Sequence, residues 1–148
     1  MRLQALVLLF SLSLALPAIA ADENQYSVDA NVRALAKVKL FAFDVIAMSG
    51  KSSGETLVSR ILKKDDAIKY LVEVYNRGTP EAKVYALASF HYLAPELFEI
   101  CRKDIVGKYN PVVHSMEGCL VHEGSLLEFV MRAEHGQYDA YIRKYAGG

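Results

Sequence analysis

The chain has no tryptophan, only two cysteines and only four prolines in 148 residues, and its basic and acidic side chains balance at 17 each. Each shortage excludes something. A chain without net charge has no global attraction for nucleic acid or an anionic membrane, so recognition has to be local. Two cysteines are too few for a disulfide scaffold, so a packed core must hold the fold. Beyond Pro17 no apolar run is long enough to span a bilayer. Low-complexity tracts and domain linkers are also missing, which points to one domain.

What is present begins with a targeting pattern. Arg2 supplies a positive start, Leu3 to Leu16 is almost unbroken aliphatic, Pro17 interrupts it, and Ala18-Ile19-Ala20 offers the small-x-small site a signal peptidase needs. The alternative is a transmembrane anchor, but the run falls short of the roughly 18–20 residues that cross a bilayer. Residues 1–20 are therefore expected to be a cleaved signal peptide, placing the product in the periplasm or outside the cell, without membrane insertion. No cysteine follows the cleavage site, which argues against a lipoprotein anchor. Cleavage removes one basic residue and no acidic one, leaving 16 against 17 over a single helical domain at 21–148.

Charge is scarce in one further place. Between Lys83 and Glu96 no side chain carries a fixed charge, and Thr79-Pro80 opens the stretch while Pro95 closes it. Threonine as N-cap and proline at the first helical position are start signals. A helix apolar on most faces must be surrounded. The spacing thus predicts a central helix over 79–94 with other helices around it.

Those neighbours are readable from caps and periodicity. A helix is expected over Val28–Lys39, running on through the apolar stretch Leu40–Met48, although a buried strand fits that stretch as well. Ser52 and Glu55 make a capping box before a short helix to Lys63. Asp65 or Asp66 is expected to cap a third helix, ended by Arg77-Gly78. Glu96–Ile105 reads as a fifth helix, Ser125 with Glu128 as a second capping box, and Tyr138–Tyr145 as a short last helix. Between them, Tyr109–His122 has β-branched residues around Glu117-Gly118 and reads as a hairpin or an irregular loop. The fold class expected is all-α, a compact bundle of six or seven antiparallel helices with one short irregular or hairpin segment near 110–122.

Cys101 and Cys119 are expected to bridge in an oxidising compartment, closing a loop of about 19 residues and contributing roughly 3 kcal/mol. Two buried thiols or a reactive pair are the rivals. Gly50-Lys51-Ser52 resembles the end of a phosphate loop, but Val45 stands where that motif needs glycine. His114, Cys119 and His122, with Glu117 or Glu123, lie close in sequence, yet match no compact metal-ligand spacing. No catalytic set, metal site or cofactor is expected. Tyrosine is abundant, with Tyr70, Tyr75, Tyr85 and Tyr92 in the third and central helices and Tyr138, Tyr141 and Tyr145 in the last. They are either core residues with hydroxyls reaching outward or a contact surface. Tyr85, His91 and Tyr92 are the candidate binding residues.

Two segments carry a resemblance. Ser53-Gly54-Glu55 through Gly78-Thr79-Pro80-Glu81-Ala82-Lys83-Val84-Tyr85-Ala86-Leu87, and Gly118-Cys119-Leu120-Val121 followed by Gly136-Gln137-Tyr138-Asp139, resemble a group of small exported bacterial helical proteins of uncharacterised function. The helix pairs also resemble HEAT repeats, whose stacked antiparallel helices bind other proteins. The resemblance bears on the fold class. A small exported helical domain with a candidate tyrosine surface and no convincing catalytic set is expected to be a non-catalytic protein-binding module with a protein partner, in its most concrete form an immunity protein or inhibitor acting on an envelope toxin or hydrolase. A small-ligand or metal-binding domain using His91 or the His114–His122 segment is the alternative.

Overall fold

The computed structural model describes residues 29–44, 50–108 and 110–147. The expected signal peptide and its cleavage point lie outside these residues, as does the 45–49 part of the ambiguous apolar stretch. The described residues form seven helices and one two-stranded antiparallel sheet: α1 Ala30–Leu35, α2 Ser53–Leu62, α3 Ala67–Arg77, α4 Pro80–Leu93, α5 Pro95–Ile105, β1 Val112–Glu117, β2 Leu120–Ser125, α6 Leu126–Glu134 and α7 Asp139–Ala146. The chain is thus mostly helical, and the 110–122 segment takes the hairpin form.

The charge-poor helix sits where its composition demands. α4 packs against α2, α3, α5, α6, α7 and β1. Its residues from Val84 to Phe90 are all buried. The Thr79 hydroxyl accepts the Ala82 amide, and proline follows at the first helical position, so the start of the helix is satisfied locally. Ser52 and Ser125 cap α2 and α6 in the same way, each accepting the amide three residues on.

Three expectations need correction. Asp66 precedes α3 but makes no side-chain cap; the Ala67 amide bonds the Lys64 carbonyl instead. Gly78 ends α3 in an extended conformation, not a left-handed one. Glycine is needed there for space, since a Cβ would lie 2.5 Å from the Val74 carbonyl oxygen and 2.8 Å from the Ala82 Cβ.

The third correction concerns the first helix, which does not run on through 40–44. α1 stops at Leu35, and Thr79 pins the residues just beyond its end: the threonine amide donates to the Ala36 carbonyl and the hydroxyl to that of Val38. The chain then becomes an extended strap. Phe41 pairs in parallel with β1, its amide donating to the His114 carbonyl at 2.8 Å and its carbonyl accepting from Met116 at 2.9 Å. Ala42 is served by side chains. The Tyr85 hydroxyl accepts its amide at 2.9 Å and donates to its carbonyl at 2.8 Å, and the Ser52 hydroxyl donates to the same carbonyl at 2.7 Å. One tyrosine hydroxyl therefore does what a neighbouring strand would do. With its backbone satisfied, the strap can be buried. The Phe41 ring sits among Phe43, Tyr85, Phe129 and Tyr138, with centroids 4.7–5.6 Å away.

The two cysteines lie in different settings. Cys101 is buried on α5 beside Tyr75, whereas Cys119 is exposed in the hairpin turn. Both thiols are free, and the expected bridge is not formed in this structure. The hairpin turns without it: Gly118 takes φ +62° at the first of two turn positions, where a type II′ turn places glycine.

Candidate functional site

The three candidate binding residues do not share a groove. Tyr85 is fully buried and belongs to the core just described. Burial pushes its hydroxyl up to about 12, so it stays a neutral donor and acceptor for Ala42. His91 ties α4 to α7: its Nδ1 lies 2.9 Å from the Asp139 carboxylate and its ring packs edge-on against Phe98. Tyr92 is at the surface with the Arg143 guanidinium over its ring. Among the other described tyrosines, Tyr138 and Tyr145 are buried and Tyr70, Tyr75 and Tyr141 half-buried, and they form no continuous surface.

The His114–His122 segment is built into the sheet. Glu81, in the first turn of α4, is buried and reaches the outer edge of β1, where its carboxylate accepts the His114 amide at 3.0 Å and meets its Nδ1 at 2.9 Å. A side chain again stands in for a strand, next to the place where Phe41 does the same. Among the described residues no group of three or more His, Cys, Asp and Glu is placed to hold a metal ion. Burial works to raise the Glu81 carboxyl, but the His114 amide and ring outweigh it, and the group titrates below its ordinary value.

This carboxylate therefore stabilises the fold above the ordinary carboxylate value, and its contribution is lost as pH falls through the lowered folded value. Glu81→Gln is expected to destabilise the protein by about 1–2 kcal/mol at neutral pH, as for a hydrogen bond to a charged group. The gap from wild type should close on acidification below about pH 4.5. Thermal unfolding followed by circular dichroism at pH 7 and pH 3 checks this; an equal gap at both would refute the assignment.

An apolar depression lies between α3 and α5. Val72 and Tyr75 from α3, Phe90 from α4, and Leu97, Ile100 and Cys101 from α5 line a groove of about 560 Å³. A second depression of about 310 Å³ shares Tyr75, Asp104 and Lys108 with it and extends the line past Pro80 to Pro111 and Leu126. Ile100 is 66% exposed, the highest among the large apolar side chains at the described surface. The rim is basic. Lys83 lies over the Tyr75 ring at 5.3 Å, Lys103 stands beside it, and Lys108 pairs with Asp104. Three lysines against one aspartate leave a positive margin around an apolar floor.

Nothing about this groove favours chemistry. Desolvation holds the Cys101 thiol above its ordinary value, the opposite of an activated nucleophile. The Tyr75 hydroxyl is raised too, by burial first and by the neighbouring Cys101 and Asp104 next. One sequence signal bears on the groove. On α5 the inward positions are Phe98, Cys101 and Ile105, and Ile100 falls outside that stripe among Glu96, Glu99 and Lys103. An aliphatic residue on a charged face is the trace of the groove in the sequence.

No protein-family model, no curated protein and no solved structure matches the chain. Among the described residues no helix is long and apolar enough to cross a membrane.

Proposed function

We propose that this chain is an exported, non-catalytic protein-binding module whose docking face is the α3–α5 groove. The observation that carries the reading is Ile100, an exposed aliphatic side chain adjoining the apolar floor of Val72, Tyr75 and Leu97. The basic rim of Lys83, Lys103 and Lys108 favours one kind of occupant: an amphipathic protein segment with apolar anchors on one face and acidic residues beside them. Export rests on the Arg2–Ala20 targeting pattern. In its most specific form the partner is an envelope toxin or hydrolase that the module neutralises, as an immunity protein or inhibitor does. Stacked helix pairs of the HEAT kind present such grooves.

The test compares capture from envelope extract by three forms of the protein. Ile100→Glu places an acid in the groove. Met131→Glu makes the same change at a position 51% exposed on α6, away from it. A partner retained by wild type and Met131→Glu but lost with Ile100→Glu supports the reading, with a loss of about 2 kcal/mol or more expected at an interface anchor. A partner retained by all three, or lost equally from both variants, sinks it.

A further inference from the structure

One edge of the sheet is closed and the other is open. On the closed side, Phe41 takes the His114 carbonyl and the Met116 amide, and Glu81 takes the His114 amide. Those groups point away from β2, where His114 faces Glu123 and Met116 faces Val121. In an antiparallel ladder, pairs that exchange both hydrogen bonds alternate with pairs that exchange none. The Leu126 amide donates to the Pro111 carbonyl at 2.9 Å, which puts Val113–Gly124, Ser115–His122 and Glu117–Leu120 in the exchanging set. Val121 and Glu123 therefore turn their N–H and C=O away from β1. Among the described residues no other group bonds them on that side.

Folded proteins guard such an edge with lysine, proline, a bulge or a covering element. β2 reads Leu120-Val121-His122-Glu123-Gly124-Ser125, with neither lysine nor proline, and its register with β1 is unbroken. Nothing described covers its outer half. Glu117 to Glu123 are all exposed, with Leu120 at 65% and Val121 at 59%. Leu120 and Val121 point to opposite faces, so this part of the hairpin stands clear of the body on both sides.

We propose that β2 pairs antiparallel with β2 of a second copy, on a two-fold axis through His122, joining the two hairpins into one continuous sheet. The side chains choose this register over its neighbours. An axis through Glu123 sets two carboxylates directly opposite each other, which is unfavourable. An axis through Val121 runs the pairing into the Gly118-Cys119 turn and shortens the overlap. With the axis at His122, the overlap runs from Leu120 to Gly124. Val121 of each copy then exchanges both backbone hydrogen bonds with Glu123 of the other, so the open groups of both residues are met. Each Glu123 faces an aliphatic side chain and keeps its own His114, whose Nε2 lies 3.5 Å away. Leu120 faces Gly124, which has no side chain to displace it. A foreign strand would have to match this alternation, whereas a second copy supplies it by symmetry. The edge shares no residue with the α3–α5 groove, and the dimer stands or falls separately from the protein-docking reading.

So short a pairing buries less than the roughly 1,200 Å² of a standard interface, and a weak dimer is expected, with a dissociation constant on the order of 0.1 mM. Sedimentation velocity of the purified protein from about 10 µM to about 1 mM measures it. Val121→Lys should tighten the dimer and Val121→Glu weaken it, each about five-fold, because each change sets a charge across from Glu123 twice. Ile100→Glu should leave it unchanged. Cross-linking in a Cys119→Ser background reads the register. Residues opposite each other in a non-hydrogen-bonded antiparallel pair lie about 4.5 Å apart at Cα, within reach of a disulfide. Under mild oxidation His122→Cys should therefore form a linked dimer at least about ten-fold faster than Leu120→Cys or Met131→Cys, which the axis holds apart. The proposal is overturned by a monomer at every concentration, by equal or same-sign shifts in the two Val121 variants, by equal cross-linking in the three cysteine variants, or by loss of the dimer in Ile100→Glu, which would put the contact on the groove.

Discussion

Gly54→Ala is expected to lower the melting temperature by roughly 10 °C or more, although alanine is the better helix former by about 1 kcal/mol. Gly54 lies in the first turn of α2. A Cβ there would fall 2.5 Å from both Cε2 and Oη of Tyr85 and 2.6 Å from its Cζ. The ring has nowhere to go. It is fully buried, 4.7 Å from the Phe41 ring and 5.2 Å from that of Phe43, and its hydroxyl is fixed by both polar groups of Ala42. Relieving the clash means displacing α2 or breaking those bonds. Overpacking and the lost bonds together amount to about 3 kcal/mol. Thermal unfolding by circular dichroism decides the matter, and a melting temperature at or above that of wild type would show that the Tyr85 ring is not held as described.

The second large effect comes from removing one oxygen. Tyr85→Phe keeps the ring but leaves the Ala42 amide without an acceptor, deep in the core. The Ala42 carbonyl retains the Ser52 hydroxyl. A loss of about 2–3 kcal/mol is expected, most of it the cost of a stranded buried N–H. The comparison with Tyr138→Phe makes this informative. Both hydroxyls are buried, and both are pushed up to about 12, chiefly by desolvation. The Tyr85 hydroxyl holds both polar groups of Ala42, whereas the Tyr138 hydroxyl has only the Arg132 guanidinium nearby. The same substitution should therefore destabilise more at 85, where it strands a buried backbone N–H, than at 138. Chemical denaturation of the two variants in parallel measures the contrast, and equal losses would contradict the hydrogen-bond assignments at both sites.

How far each feature could be read from sequence depends on the range of the interactions that make it. α4 was legible because its lack of charge can be satisfied only by enclosure, and the starts of α2, α4 and α6 were legible because Ser52, Thr79 and Ser125 act within one turn. The strap was not. Its partners are a hydroxyl 43 residues further on and a strand near the far end of the chain, and local periodicity carries no trace of either. Tyrosine abundance left core packing and a contact surface both open, and Tyr85, Tyr138 and Tyr145 lie inside, where each aromatic body fills the core. The α3–α5 groove left one mark in the sequence, Ile100 on a charged face.

The Ala42 amide, held by a hydroxyl instead of a strand, also bears on the order of folding. Helices α2 to α5 are consecutive and find their neighbours across short loops, so they close early and cheaply in entropy. The strap has to wait for both α4 and the hairpin to be in place, because each supplies half of its partners. Its docking is then the late event that turns a collapsed helical cluster into a unique structure. Deuterium uptake at the amides of Phe41 and Ala42 is its natural clock, since the first is held by the hairpin and the second by the Tyr85 hydroxyl of α4. Protection there that appears no later than in α3 would reverse that order.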